Sequence, residues 1–190
     1  IDALATDSVV FDRAYTPCAL CSPARASLMT GVYPHRHHMF NNSTPGYSYC
    51  EHLRADLQIL PDWAARHTGY ETAYFGKWHI GPAADLFNSA FHRTHPRPGE
   101  EPLAFLANSH WHPNPSMGQL VRSYGGGEAG TIDVPMERFP DVAAANYTRR
   151  FLRERRPDGP PFLAFCSFPG PHSPWLVPDA FGIRYDPASI

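Results

Sequence analysis

Lysine is almost missing from this chain. Among 16 basic residues in 190 there is one lysine, Lys77, and the rest are arginine. Neither sign of charge dominates: 18 acidic residues set against the 16 basic ones leave a formal net charge of −2. No global field therefore recruits nucleic acid or an anionic membrane. Cysteine is scarce as well, with four residues at irregular positions 18, 21, 50 and 166, unlike the framework of a small disulfide-held domain. No apolar run approaches the roughly 20 residues that span a bilayer. The opening residues, IDALATDSVVF, have neither the basic head nor the clean apolar stretch of a secretory leader. They begin as if inside a helix, and RYDPASI ends without a closing element, so the chain reads as an internal segment of something longer. Its compartment stays open.

What the chain does have is a globular balance, 43% hydrophobic and 18% charged, at a length that suits one domain. Its 21 prolines and 14 glycines predict turns and ordered loops. Residues 2–7 read as the end of a helix and SVVFDRAY as a short strand. PARASLM predicts a helix with Ser22 as its cap, Pro23 in the first turn and Gly31 at its stop. VYPHRHHMFNNSTPGYS reads as loop. ILPDWAARHT forms a second helix closed by Gly69, and YETAYFG alternates as a strand that runs into GKWHIG. Residues 82–135, with GGGEAG at 125–130, predict long loops. From Asp141 to about Arg156 the pattern is an amphipathic helix. PFLAFCSF at 161–168 is a continuous apolar run suited to a strand buried on both faces, and PGPHSPW follows it. Helices alternating with buried strands indicate an α/β fold with a largely parallel sheet, whose strand ends are where ligands bind. Lys77, His79 and His172 all fall just past predicted strand ends.

CSPAR, residues 21–25, is the most unusual stretch. Cys18 and Cys21 form C-x-x-C, but a redox pair does not account for Pro23, Arg25, Thr30 and Gly31 at their offsets. A zinc site built from Cys18, Cys21, Cys50 and His35, His37 or His38 lacks a second ligand pair at structural spacing. A cysteine-phosphatase loop needs glycines that let backbone N–H groups face the anion. Here the loop holds Pro23, and no glycine lies between Cys21 and Arg25.

Cys21-x-Pro23-x-Arg25, followed by Leu28-x-Thr30-Gly31, resembles the signature of the type I sulfatases, members of the alkaline-phosphatase superfamily. GYETAYFGKWHIG, from Gly69 to Gly81, resembles a second element of that family, and FCSFPGPHSPW a third. The three stand in the family's order and cover most of the chain outside 82–135.

The resemblance implies an α/β alkaline-phosphatase/sulfatase-like fold, a largely parallel mixed sheet between helices, incomplete at both ends. Residues 1–190 would be part of one catalytic domain, with 82–135 a variable, loop-rich insertion and the first strand and C-terminal part outside the chain. It implies hydrolysis of a sulfate monoester by a formylglycine made from Cys21. A maturation enzyme would read Cys21, Pro23 and Arg25 for this oxidation. The hydrated aldehyde would bind a divalent cation, calcium or else magnesium, with Cys21 in its oxidised form as one ligand. Arg25 would hold the diol oxygens, Lys77 the sulfate and leaving-group oxygens. His79 would assist collapse of the diol, and His172 would contact sulfate or protonate the leaving oxygen. His35 and His37, in the YPHRH turn, would be structural or lie just behind the pocket. The remaining metal ligands, an Asp pair and a later Asp-Asn or Asp-Gln pair, have no counterpart here, so the chain alone is expected not to turn over. Two alternatives accompany this reading: a phosphonate monoester or phosphodiester hydrolase of the same superfamily, and an unmodified, non-catalytic homologue. Cys18, Cys50 and Cys166 are expected to be small buried residues. Trp78, Trp111 and Trp175 would suit stacking on a sugar or an aryl group.

Overall fold

A computed structural model describes residues 2–44, 46–81, 93–95, 122–124, 127–132, 135–172 and 175–181. Trp111 and most of 82–121 lie outside the described residues. In chain order the elements are α1 (Asp2–Ala5), α2 (Cys21–Thr30), α3 (Pro34–His37), α4 (Leu60–Thr68), β1 (Glu71–Gly76), β2 (Arg93–His95), β3 (Arg122–Tyr124) and β4 (Gly127–Ile132). A 3-10 turn (Met136–Arg138) leads into α5 (Pro140–Glu154), then β5 (Phe162–Ser167), β6 (Trp175–Pro178) and a second 3-10 turn (Asp179–Phe181). Three short strands thus fall in the stretch that reads as loop in the sequence.

The site is organised by a parallel sheet ordered β2-β1-β5. Its middle strand, β1, is buried from Thr72 to Gly76, and alternation sends its side chains to opposite faces. On one face Tyr74 joins Ala26 and Met29 of α2 with Met39, Trp78 and Ile80. On the other, Ala73 and Phe75 pack on Phe151 and Tyr147 of α5. The sheet is therefore sandwiched between α2 and α5, as an α/β layer architecture requires. Arg155, just past α5, closes the bottom of the layer. It pairs with Glu71 at 2.7 Å and lies 4.5 Å over the Phe162 ring. A second sheet, β3-β4-β6, pairs β3 with β4 antiparallel and β4 with β6 parallel.

Four local expectations change. SVVFDRAY is irregular and exposed, with Val9 and Phe11 open to solvent; a strand needs a partner, and it has none among the described residues. The YPHRH turn contains a short helix, α3. Ser22 does not cap α2, because the helix starts at Cys21, two residues before Pro23, and its N-cap is Leu20, with no side-chain cap of its own. Finally, β5 is not buried on both faces: Phe162 and Cys166 are exposed. Among the described residues it pairs on one side only, with β1.

Candidate active site

The first residue of α2 is Cys21, and the capping group that the local sequence fails to supply comes from a distant loop. Asn42 accepts the Ser22 N–H at 3.2 Å through its Oδ1. The Ser22 hydroxyl, fully buried, donates to the His79 carbonyl at 2.5 Å and accepts the Ser43 N–H at 2.9 Å. The start of α2 is thereby fixed on one side to the 42–43 loop and on the other to the turn after β1. At its far end Gly31, at φ 71°, turns the chain out of the helix. The helix dipole makes the Cys21 end favourable for negative charge, although the Ser22 N–H is taken by Asn42, the Ala24 N–H by the Leu20 carbonyl, and Pro23 has none.

The turn that α2 meets, Lys77-Trp78-His79-Ile80, leaves the carboxyl end of β1. Gly76 opens it at φ 101°, and a Cβ there would lie 2.0 Å from the Ser167 carbonyl oxygen. Only glycine lets β1 and β5 come this close. The Lys77 N–H donates to that same oxygen at 2.8 Å. His79 holds φ 60°, an uncommon left-handed conformation for a side-chain-bearing residue, sustained because Ser22 grips its carbonyl.

Three side chains predicted from sequence come together here. Lys77 Nζ stands 3.8 Å from Cys21 Sγ. Arg25, one helical turn after Cys21 and so on the same helix face, donates through Nη1 to the Lys77 carbonyl at 2.8 Å. The same Nη1 reaches Ser167 Oγ at 2.8 Å and Tyr74 OH at 3.2 Å. Burial holds the Lys77 ammonium below its ordinary pKa, while Cys21 opposes that shift and the Arg25 charge adds to it. Burial pushes the Tyr74 phenol up. A cavity of about 820 Å3 is lined by Cys21, Arg25, Leu28, Tyr74, Phe165 and Ser167, among others.

The histidines divide. His79 is buried in the Lys77 turn. His172 is exposed in the turn after β5, which is tied back to α5 by the Gly170 N–H on Asp141 Oδ1 at 3.0 Å; no contact between His172 and Cys21 is among the described ones. His35 is exposed and stacks on Tyr33. His37 is fully buried and structural: its Nδ1 accepts the Met39 N–H at 3.1 Å. The ring proton therefore sits on Nε2, 3.0 Å from Ser27 Oγ of α2. The other cysteines are not the small buried residues expected. Cys18 and Cys50 are half-buried in irregular segments and Cys166 is exposed on β5, all as free thiols. Tyr74, Ser167 and Asn42 carry no motif that marks them in the sequence.

A divalent cation implied by the resemblance meets no ligand set here. Among the described residues no three His, Cys, Asp or Glu side chains converge as a cation site requires. The charged group brought to Cys21 is an ammonium. The described residues do not by themselves make a calcium or magnesium site.

Comparison with known proteins decides the family. The family model described as Sulfatase matches residues 1–186. The chain belongs to the sulfatase family. This sulfatase-family chain is 30% identical to N-acetylglucosamine-6-sulfatase of Capra hircus over 179 residues, which is 89% of the chain and 29% of that protein. It is 29% identical to an ulvan-active sulfatase of Formosa agariphila, covering 100% of the chain and 34% of the relative. The chain thus spans about a third of the length of these curated relatives. Among solved structures, one holding its substrate D-glucosamine-2-N,6-O-disulfate matches with TM-score 0.58 at 20% identity, over 98% of this chain and 33% of that one. The phosphonate monoester hydrolase of Agrobacterium radiobacter matches with TM-score 0.56 at 25% identity, over 95% and 37%. These neighbours share the α/β fold of the alkaline-phosphatase superfamily. Among the described residues no helix is long and apolar enough to cross a membrane.

Proposed function

We propose that the protein containing this chain hydrolyses a sulfate monoester at residue 21, with Cys21 oxidised to formylglycine by a maturation enzyme that reads Cys21, Pro23 and Arg25. The observation that carries the reading is the convergence of Cys21, Arg25 and Lys77 on one helix start, with Lys77 Nζ 3.8 Å from Cys21 Sγ. Two fixed cations beside a helix N-terminus suit a doubly oxygenated, anionic centre better than a neutral ligand. The hydrate of formylglycine would supply two hydroxyls on one carbon: one would attack sulfur and displace the alcohol, and the other, losing its proton, would re-form the aldehyde and release sulfate.

The chain's own residues take the following parts. Lys77, shielded from water, neutralises charge that grows on the sulfate and leaving oxygens. Arg25 offers Nε and Nη2, since Nη1 is held by the protein. His79, in the same turn as Lys77, and His172, past the end of β5, are assigned to proton transfer. The cation, calcium or magnesium, would need ligands beyond the described residues.

The sulfatase matches favour sulfate over phosphonate esters. The test uses the full-length protein from its native host. The peptide carrying residue 21 should weigh about 18 Da less than its thiol form, because sulfur and two hydrogens are lost and one oxygen is gained. An aryl sulfate should be turned over faster than an aryl phosphonate, and Cys21→Ala should abolish turnover. An unmodified thiol in an active enzyme would overturn the mechanism, and preference for the phosphonate would overturn the substrate class.

A further inference from the structure

Arg25 ends a long, flexible side chain, and its charge helps only if the guanidinium is held still. Nη1 carries two hydrogens and faces three acceptors: the Lys77 carbonyl at 2.8 Å, Ser167 Oγ at 2.8 Å and Tyr74 OH at 3.2 Å. The acceptors are themselves joined. Ser167 Oγ donates to the Lys77 carbonyl at 2.9 Å, and the Tyr74 hydroxyl donates to the same oxygen. Among the described residues no acceptor meets Nε or Nη2, so those hydrogens remain for a ligand. The guanidinium is thus split, one nitrogen given to the frame and the rest turned free.

We propose that Tyr74 and Ser167 are positioning residues for the reaction at residue 21, clamping Arg25 onto the Lys77 carbonyl so that guanidinium and ammonium face that residue as one unit. The proposal rests on reading residue 21 as the reacting centre. Both hydroxyls stand on rigid supports. Tyr74 comes from the middle of β1, buried, its ring edge-on to Trp78 at 5.2 Å and stacked on Phe165 at 5.6 Å. Ser167 closes β5 in register with Gly76. Two like charges repel, and without the hydroxyls the guanidinium has only one carbonyl to hold it beside Lys77. The sequence hides the pair, because no motif marks either hydroxyl.

The test compares Tyr74→Phe, Ser167→Ala and Ser167→Thr in the full-length protein, on whichever ester the parent turns over. Tyr74→Phe and Ser167→Ala should each lower kcat about tenfold with KM within about twofold, the effect of losing a hydrogen bond to a charged group. The double variant should lose far less than the product of the two, since both act through one guanidinium. Ser167→Thr keeps the hydroxyl and should recover activity to within about threefold, while the melting temperature and the residue-21 mass stay at parent values. Unchanged kcat in both single variants overturns the proposal. So does a loss that follows the melting temperature, or a threonine variant as impaired as the alanine one. If the parent carries an unmodified thiol and turns nothing over, the functional reading has failed and the clamp is scored on affinity for inorganic sulfate. About a fivefold weakening in Ser167→Ala with recovery in Ser167→Thr then supports it, and equal affinities refute it.

Discussion

Replacing Gly76 by alanine tests whether the close approach of β1 and β5 builds the site. The added Cβ would stand 2.0 Å from the Ser167 carbonyl oxygen and 2.9 Å from its carbon, both backbone atoms that cannot step aside alone. Holding an L-residue at φ 101° costs about 1–2 kcal/mol before any clash. Relieving the clash moves the end of β5 away and breaks the 2.8 Å bond from the Lys77 N–H to that oxygen, about 1 kcal/mol more. A total of about 2–3 kcal/mol is expected. Gly69→Ala is the internal control: it too has a positive φ, 71°, but its Cβ meets nothing within 4 Å. Thermal melts of both variants in the full-length protein, with kcat measured alongside, separate conformation from contact. Gly76→Ala should melt well below Gly69→Ala and lose activity, because Lys77 follows directly. Equal melting temperatures would refute the close-approach argument.

Two further outcomes follow from buried charge. Burial lowers the His37 pKa below its ordinary 6.5, with His38 and His35 adding to the shift. The folded state therefore binds fewer protons than the unfolded one, so this histidine's contribution to stability is complete above about pH 6.5 and fades as pH falls toward its folded pKa; melts across pH 7.5 to 5 should show the decline, and His37→Gln should flatten it. Lys77 is likewise buried and its pKa lowered, so a neutral residue of similar shape removes a desolvation cost. Lys77→Met should abolish turnover while raising the melting temperature, and a fall in melting temperature would show that the ammonium stabilises the fold.

The features legible in the sequence were those written locally. Gly31 and Gly69 end α2 and α4 in the left-handed conformation that glycine permits, and the run from Glu71 to Gly76 is a strand as its pattern indicates. The proximity of Cys21, Arg25 and Lys77 was legible only through motif resemblance, since 56 residues separate Cys21 from Lys77. What escaped was set by partners far along the chain. The group that satisfies the Ser22 N–H comes from Asn42, 20 residues on, so Ser22 read as a cap when its hydroxyl is in fact a buried tie to His79. The apolar run of β5 encodes a strand without saying how many neighbours will cover it, hence the exposure of Phe162 and Cys166. The Tyr74 and Ser167 hydroxyls could have been flagged by one signal, a hydroxyl in the second half of a strand of a parallel sheet, the end toward which such a sheet presents its ligands.

Two of the three motifs supply both a chemical group and a strut for another motif. CSPAR gives Cys21 but also grips the Lys77 turn through Ser22 and Arg25. That turn gives the ammonium, while its backbone bonds Ser167 and receives Arg25. The strut and the chemistry coincide in Arg25, so its removal cannot distinguish a lost charge from a loosened turn. They separate at Lys77, where the struts are backbone N–H and C=O groups that any residue but proline retains. A substitution there changes the charge beside Cys21 and leaves the frame standing. Lys77 is the one lysine in the chain, and it occupies the position where charge can be tested apart from architecture.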